Sequence, residues 1–423
     1  MVSFDAQVYQ NEYLPRGSDE VNAVVTVTAT GGDRPGGGRS PAAAEIIIVD
    51  CSGSMKNNMR AVRNATCAAI DALRPGVAFA VIAGDHQARV AYPRTGRLTA
   101  ATTETRAAAK RAVSGLKAAG GTAIGSWLSL ANELFAAHSG AIRHAILLTD
   151  GRNESETPEE LAAALDACAG AFTCDCRGVG TSWSVEELRR VATALLGTVD
   201  IIARPSGLAA DFTRMMTHAM GKTVADVTLR VWTPQGAVVR FVKQVAPQVL
   251  DLTDAGSAAP VPQSRDYPTG SWGVESRDYH LCISVPPGRV GEEMLAARVG
   301  VVADGAVCAK GLVRAIWTDE EALSTRIDPQ VAHYTGQAEL ARAIQEGLQA
   351  RKDGDVVTAT ARLGRAVALA TESGHVDTAR LLRQVVEVDD PVTGTVRLKA
   401  VVNNADEMAL DTRSTKTVRS RNV

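Results

Sequence analysis

Glu45-Ile46-Ile47-Ile48-Val49-Asp50-Cys51-Ser52-Gly53-Ser54-Met55 is an apolar run that ends in an acid, with two hydroxyls following at alternate positions. A strand buried on both faces has this character, and such strands belong to the middle of parallel sheets. Sheets of that kind place ligand sites beyond the carboxyl ends of their strands. Asp50, Ser52 and Ser54 therefore stand where a binding loop is expected. Each offers a hard oxygen donor of the type that Mg²⁺ and Ca²⁺ prefer.

Two later segments complete a set. Ala118-Ala119-Gly120-Gly121-Thr122-Ala123-Ile124-Gly125 is a glycine-rich loop with one hydroxyl, just before an amphipathic helical pattern. Ala145-Ile146-Leu147-Leu148-Thr149-Asp150-Gly151 is a second apolar strand that ends in an acid. Each part has a plain structural alternative. Asp50, Ser52 or Ser54 can cap the following helix, Thr122 can serve a turn or a cap, and Asp150-Gly151 is a common turn pair. A cap accounts for one such residue, not for three segments converging.

Together, Asp50, Ser52, Ser54, Thr122 and Asp150 closely resemble the metal-ion-dependent adhesion site of von Willebrand factor A domains. That pattern is Asp-x-Ser-x-Ser, then a distant Thr, then a distant Asp after a strand. The whole chain resembles cytoplasmic, actinobacterial proteins of this family. The resemblance implies one divalent cation, Mg²⁺ first, with Ca²⁺ or Mn²⁺ as alternatives. In the family the two serine hydroxyls bind the ion directly, the threonine directly or through water, and the acids largely through water. One coordination position then stays open for a Glu or Asp of a partner protein, a charge-assisted contact. Relatives of this type are linked with bacterial stress-response and phospho-signalling systems.

Composition narrows the classes. A chain of 423 residues suggests two or three domains, and 45% hydrophobic content supports real cores. A formal net charge of −2 gives no footprint for nucleic acid or an anionic membrane. The opening Met1-Val2-Ser3-Phe4-Asp5-Ala6-Gln7 lacks the basic-then-apolar order of a signal peptide, and no run is long and apolar enough to span a bilayer. The seven cysteines are scattered and odd in number, which fits a reducing cytoplasm. Cys174 and Cys176 alternate along one strand pattern and are read as core residues.

Residues 41–220 alternate strand and helix, with strands near 45–50, 77–84, 141–149, 173–178 and 199–203. This predicts an α/β domain with a doubly wound, mostly parallel sheet. Residues 1–40 hold one alternating strand, at 21–29, and then a flexible glycine-rich linker at 30–41. Residues 221–318 read as β throughout. The natural reading is a β-sandwich built from 1–40 and 221–318, with the α/β domain inserted in it. A small helical domain follows over 319–390, with helices at 338–350, 356–372 and 376–386. Residues 391–423 are basic and hydroxyl-rich and read as a disordered tail. Thr412, Thr415 and Thr417 there are candidate phosphorylation sites, and a forkhead-associated domain is the corresponding candidate partner.

No Ser-His-Asp arrangement, Gly-x-Ser-x-Gly, His-Glu-x-x-His or Walker loop is present. No residue is therefore assigned a catalytic role, and the protein is read as a metal-dependent binding or scaffold module, not an enzyme. The alternative is a metal-dependent hydrolase, or a subunit of an enzyme complex, using the same ion.

Overall fold

A computed structural model describes residues 2–31 and 42–419, so most of the glycine-rich linker read at 30–41 lies outside the described residues. Three strands come first: β1 (Ser3–Gln10), β2 (Tyr13–Pro15) and β3 (Glu20–Thr30). The apolar run that ends at Asp50 is β4 (Ala43–Asp50). It belongs to a sheet with β5 (Ala78–Gly84), β6 (Ala88–Tyr92), β7 (Thr99–Ala100), β8 (Ile142–Thr149), β9 (Thr173–Val179) and β10 (Val199–Ile202). The order is β10-β9-β8-β4-β5-β6, with β7 also on β5. Pairing is parallel from β10 to β5, and β6 and β7 pair antiparallel with β5.

Six helices alternate with these strands: α1 (Met59–Ala72), α2 (Thr103–Ser114), α3 (Ile124–Phe135), α4 (Pro158–Cys168), α5 (Val185–Ala194) and α6 (Leu208–Met220). Ile47, Val49, Val81, Ile146 and Leu148 share a core with Val62 and Ile70 of α1, Val113 of α2 and Phe212 of α6. Ile46, Ile48, Ile82 and Leu147 are equally buried, and strand alternation turns them to the other face. With both faces covered, β4 has no side left for a polar residue between Ile46 and Val49. The α4 helix starts where Thr157 and Glu160 form a reciprocal capping box, followed by Pro158 at the first turn.

The amino end of β4 carries a buried charged group. His144 Nδ1 on β8 lies 2.9 and 3.0 Å from the two Glu45 carboxylate oxygens, and its Nε2 lies 3.2 Å from Asp175 Oδ2 on β9. Burial opposes a charge on His144, but Glu45 and Asp175 together outweigh it and lift the imidazole to about 10. Burial likewise acts to raise Asp175, yet the hydrogen bond and charge of His144 with Arg177 nearby hold it well below the usual carboxylate range. For Glu45, burial wins and the pKa is raised.

The remaining strands are β11 (Val224–Trp232), β12 (Val238–Ala246), β13 (Leu250–Asp251), β14 (Ser257–Ala258), β15 (Ser264–Trp272), β16 (Glu275–Ser284), β17 (Glu293–Ala303) and β18 (Ala306–Thr318). They form two sheets, ordered β1-β3-β16-β12-β13 and β14-β15-β11-β17-β18-β2. Each sheet draws strands from before and after the α/β unit. β3 pairs antiparallel with β16 from Glu20↔Ser284 to Ala29↔Glu275, and β2 pairs in parallel with β18. Among the described residues, 2–31, 226–269 and 274–419 cluster as one compact unit, and 42–225 with 270–273 as another. β1, β2 and β15 were not foreseen from the sequence; β15 contains Pro268 and Gly270, which disguise it as a turn.

The helical part comprises α7 (Glu321–Ser324), α8 (Pro329–Lys352), α9 (Val356–Glu372) and α10 (Val376–Val385). α8 starts earlier than its apolar spacing suggests, because Asp328 accepts from the Gln330 and Val331 amides and Pro329 opens the first turn. Val331 and Tyr334 of that extra length pack with Val24, Val245 and Ala246 of the five-stranded sheet.

The tail is corrected by the structure. Residues 391–419 hold β20 (Thr395–Leu398), which pairs with β19 (Val386–Asp390), and then α11 (Asn404–Arg413). Leu410 is buried in one core with Leu340, Ile344, Leu363 and Leu382. One apolar anchor in a hydroxyl-rich segment is weak evidence in a sequence, yet it fixes α11. Thr412 is 1% exposed, and the Thr417 hydroxyl donates to the Val245 carbonyl at 2.6 Å. Thr415 is half-buried, with its carbonyl accepting from Val249 N–H at 2.7 Å. These three residues thus sit in ordered, hydrogen-bonded structure, not in an accessible disordered end.

Candidate metal centre

The carboxyl ends of β4 and β8 and the loop before α3 meet at one place. Cys51 and Gly53 are tied to the glycine-rich loop by backbone bonds: Ala119 N–H to the Cys51 carbonyl at 2.7 Å, and Gly53 N–H to the Gly120 carbonyl at 2.9 Å. Gly120 takes a φ of +79°, a conformation suited to glycine. The next residues are fastened to the loop after β8. Ser155 N–H donates to the Thr122 carbonyl at 2.9 Å. Asn153 Oδ1 accepts from the Ile124 amide at 2.7 Å, and Glu156 accepts from the Gly125 amide at 2.6 Å. These two side chains satisfy amides at the start of α3 that would otherwise lack partners.

This fastening gathers the hydroxyls. Ser52 Oγ and Ser54 Oγ are 2.8 Å apart. A Cβ placed on Gly151 would stand 3.0 Å from Thr122 Oγ1, 3.2 Å from Ser54 Oγ and 3.7 Å from Ser52 Oγ. Three hydroxyl oxygens from two loops therefore surround one point beside Asp150. Ser54 is exposed, whereas Ser52, Thr122, Asp50 and Asp150 are buried, so the cluster opens to solvent on one side.

The two acids are held differently. Asp50 Oδ1 accepts from the Ser52 amide at 2.7 Å, and its Oδ2 accepts from the Thr149 hydroxyl at 2.5 Å. Burial lifts its carboxyl to about 6, against the lowering effect of those hydrogen bonds. Asp150 Oδ2 accepts from Asn58 Nδ2 at 2.8 Å, while its Oδ1 is buried with no hydrogen-bond partner. A buried oxygen left unpaired costs about 1–3 kcal/mol, and a nearby cation would remove that cost.

All five residues singled out in the sequence are thus in this neighbourhood. Reading the sequence alone missed Asn58, Thr149, Asn153 and Glu156. Thr149 was detectable as the one hydroxyl at the end of an apolar strand. Asn58 carries no signal beyond a polar side chain at a helix start. Among the described residues, no three His, Cys, Asp or Glu side chains converge into a metal site. A cation here must therefore rely on hydroxyls, which suits a hard oxygen-seeking ion better than zinc. Cys51 is fully buried, and burial pushes its thiol up to about 12, which leaves no reactive thiolate at neutral pH.

Gly151 gives a direct check on this geometry. Gly151→Ala places a methyl among the three hydroxyls without removing any ligand. Divalent-cation affinity should fall by about tenfold or more, corresponding to about 1.4 kcal/mol per factor of ten. Isothermal titration with Mg²⁺ measures it; unchanged affinity would move the ion away from this cluster.

Residues 44–201 match the von Willebrand factor type A domain family, and residues 368–414 match the von Willebrand factor type A C-terminal domain. A solved structure, von Willebrand factor type A from Catenulispora acidiphila, is 53% identical to this chain. The match covers 99% of this chain and 97% of that one, with a TM-score of 0.94. The ArnB paralog VWA2 from Sulfolobus acidocaldarius is 14% identical over 98% of both chains, with a TM-score of 0.61, a likeness of fold alone. A Synechocystis protein, sll0103, is 31% identical over 218 residues, and the chain spans about half the length of this curated relative, 49%.

Proposed function

Given that the chain belongs to the von Willebrand factor type A family, often used as metal-dependent protein-interaction modules, we propose that it binds one divalent cation and through it an acidic residue of a protein partner. Ser52, Ser54 and Thr122 would hold the ion with Asp50 and Asp150, and Mg²⁺ is the ion we assign, ahead of Ca²⁺ or Mn²⁺. The ion supplies a positive charge that a partner's Glu or Asp can share. The observation that carries this reading is the ring of three hydroxyls beside a buried, partnerless Asp150 Oδ1. Ser54 keeps the ring accessible from outside.

We assign no catalysis to the site, a reading supported by the buried, high-pKa thiol of Cys51. We read the two mostly antiparallel sheets as a sandwich that carries the α/β domain as an insertion, with the helices as its extension. A cytoplasmic setting is supported by seven free cysteines. Among the described residues no helix is long and apolar enough to cross a membrane. Placement of the partner in a stress-response or phospho-signalling system rests on the family resemblance alone. A forkhead-associated partner at residues 412–417 forms no part of this reading, because Thr412 is buried and the Thr417 hydroxyl is bonded to the Val245 carbonyl. The test is retention of proteins from the lysate of the source organism on the immobilised chain, in Mg²⁺ and again in EDTA. A partner held only with the metal is expected; equal retention in EDTA would overturn the reading.

A further inference from the structure

Residues 415–417 run antiparallel to residues 247–249, the connection between β12 and β13 of the five-stranded sheet. Val249 N–H donates to the Thr415 carbonyl at 2.7 Å, Thr417 N–H donates to the Pro247 carbonyl at 3.1 Å, and Gln248 and Lys416 form an antiparallel bridge. Addition of a strand to an open sheet edge is a general way to hold an extended peptide. The helices read the same segment from another side. Gln337 pairs its amide with both backbone groups of Val418: Nε2 donates to the carbonyl at 2.8 Å and Oε1 accepts from the N–H at 3.2 Å. His375 Nε2 lies 2.9 Å from the Lys416 carbonyl. All these contacts grip the main chain and are indifferent to side-chain identity.

Two contacts are selective. The Thr417 hydroxyl donates to the Val245 carbonyl at 2.6 Å. Arg419 spans the Asp278 carboxylate, with Nε 2.9 Å from Oδ2 and an Nη2 2.6 Å from Oδ1. Asp278 is 2% exposed and also accepts from the Tyr334 hydroxyl at 2.5 Å. A buried carboxylate of this kind calls for a cationic partner, and a planar guanidinium fits it with two parallel bonds. Apolar anchoring, in contrast, ends earlier, at Leu410. Val418, the segment's apolar side chain, is 41% exposed. Apart from the Arg419–Asp278 pair, the segment is held by hydrogen bonds and little apolar contact, so its release turns chiefly on that one pair.

We propose that these contacts form a binding site for an extended peptide of the pattern Thr-x-Arg, and that residues 415–419 are its resident occupant, held in cis and able to exchange. Tethering gives the resident an effective concentration on the order of millimolar, so a free peptide competes only when the resident is weakened. The test is a labelled hexapeptide, Ser-Thr-Lys-Thr-Val-Arg, blocked at both ends and titrated into the full chain and into its Arg419→Ala variant. The variant should bind the peptide about tenfold or more tightly than the original chain does. The same peptide with its arginine replaced by alanine should lose about that factor again. No saturable binding to the variant, or equal binding of the two peptides, would overturn the proposal. Hydrogen exchange on the unaltered chain provides a check independent of any substitution. The Val249, Thr417 and Val418 amides should exchange about a hundredfold faster than the Val25 and Leu281 amides of β3 and β16. A single common rate would make the segment an integral strand and sink the idea.

Discussion

Asp50→Ala combined with Ser52→Ala should abolish Mg²⁺ binding while leaving the fold intact. The pair removes one ring hydroxyl and the carboxylate that fixes the Ser52 amide and the Thr149 hydroxyl. Lost hydrogen bonds should cost about 1–3 kcal/mol, partly offset because a buried carboxylate held near pH 6 is itself unfavourable. Circular dichroism should therefore look unchanged. The sharper readout is the effect of metal on thermal unfolding. At about a hundred times its dissociation constant, an ion that binds only the folded state adds about 2.7 kcal/mol. The original chain should gain that increment and the double variant should gain none. An unchanged calorimetric affinity in the variant would remove these two residues from the site.

His144→Leu should destabilise the α/β unit by about 3–5 kcal/mol, because it leaves the fully buried Glu45 carboxylate without its cation. The pH dependence identifies the cause. The His144 pKa is raised on folding to about 10, so its contribution is complete below the unfolded value of about 6.5 and is lost as pH rises through about 10. Asp175 is lowered on folding, so its contribution is present above about pH 4 and is lost in more acidic solution. The raised Glu45 works the other way and favours the folded state as pH falls. The stability difference between the original chain and the variant should therefore be large at neutral pH and shrink towards pH 10. Denaturant midpoints across that range measure it; a constant difference would show that His144 acts through packing alone.

What could be read from the sequence followed from burial on two faces. Ile46–Val49 and Ile146–Leu148 have no polar residue because helices cover both sides, and such runs announce a parallel sheet. In the candidate metal centre, Asp50, Ser52, Ser54 and Asp150 stood out because they end or directly follow apolar strands, and Thr122 because it is the one hydroxyl of a glycine-rich loop. The supporting side chains did not, since Asn58 and Glu156 act across loops distant in sequence, and no local pattern marks the partner. β15 hid behind Pro268 and Gly270. The last stretch was misread because its composition resembles a solvated end. Its order depends on Leu410 reaching a helical core and on Arg419 reaching Asp278, two long-range contacts that composition cannot express.

The pairing of β3 with β16 also sets a timetable for synthesis. Thr28 and Ser276, bonded across that pair, are 248 residues apart. At about 5–20 residues per second, the ribosome needs on the order of ten to fifty seconds to deliver the second strand after the first. During that interval β1 can close on one side of β3, but the side reserved for β16 stays open, and an open strand edge invites unwanted pairing with other nascent chains. The α/β unit has all its own strands through β10 long before β16 emerges. The α/β unit thus has its strands available while β3 still lacks the β16 partner that closes its second edge.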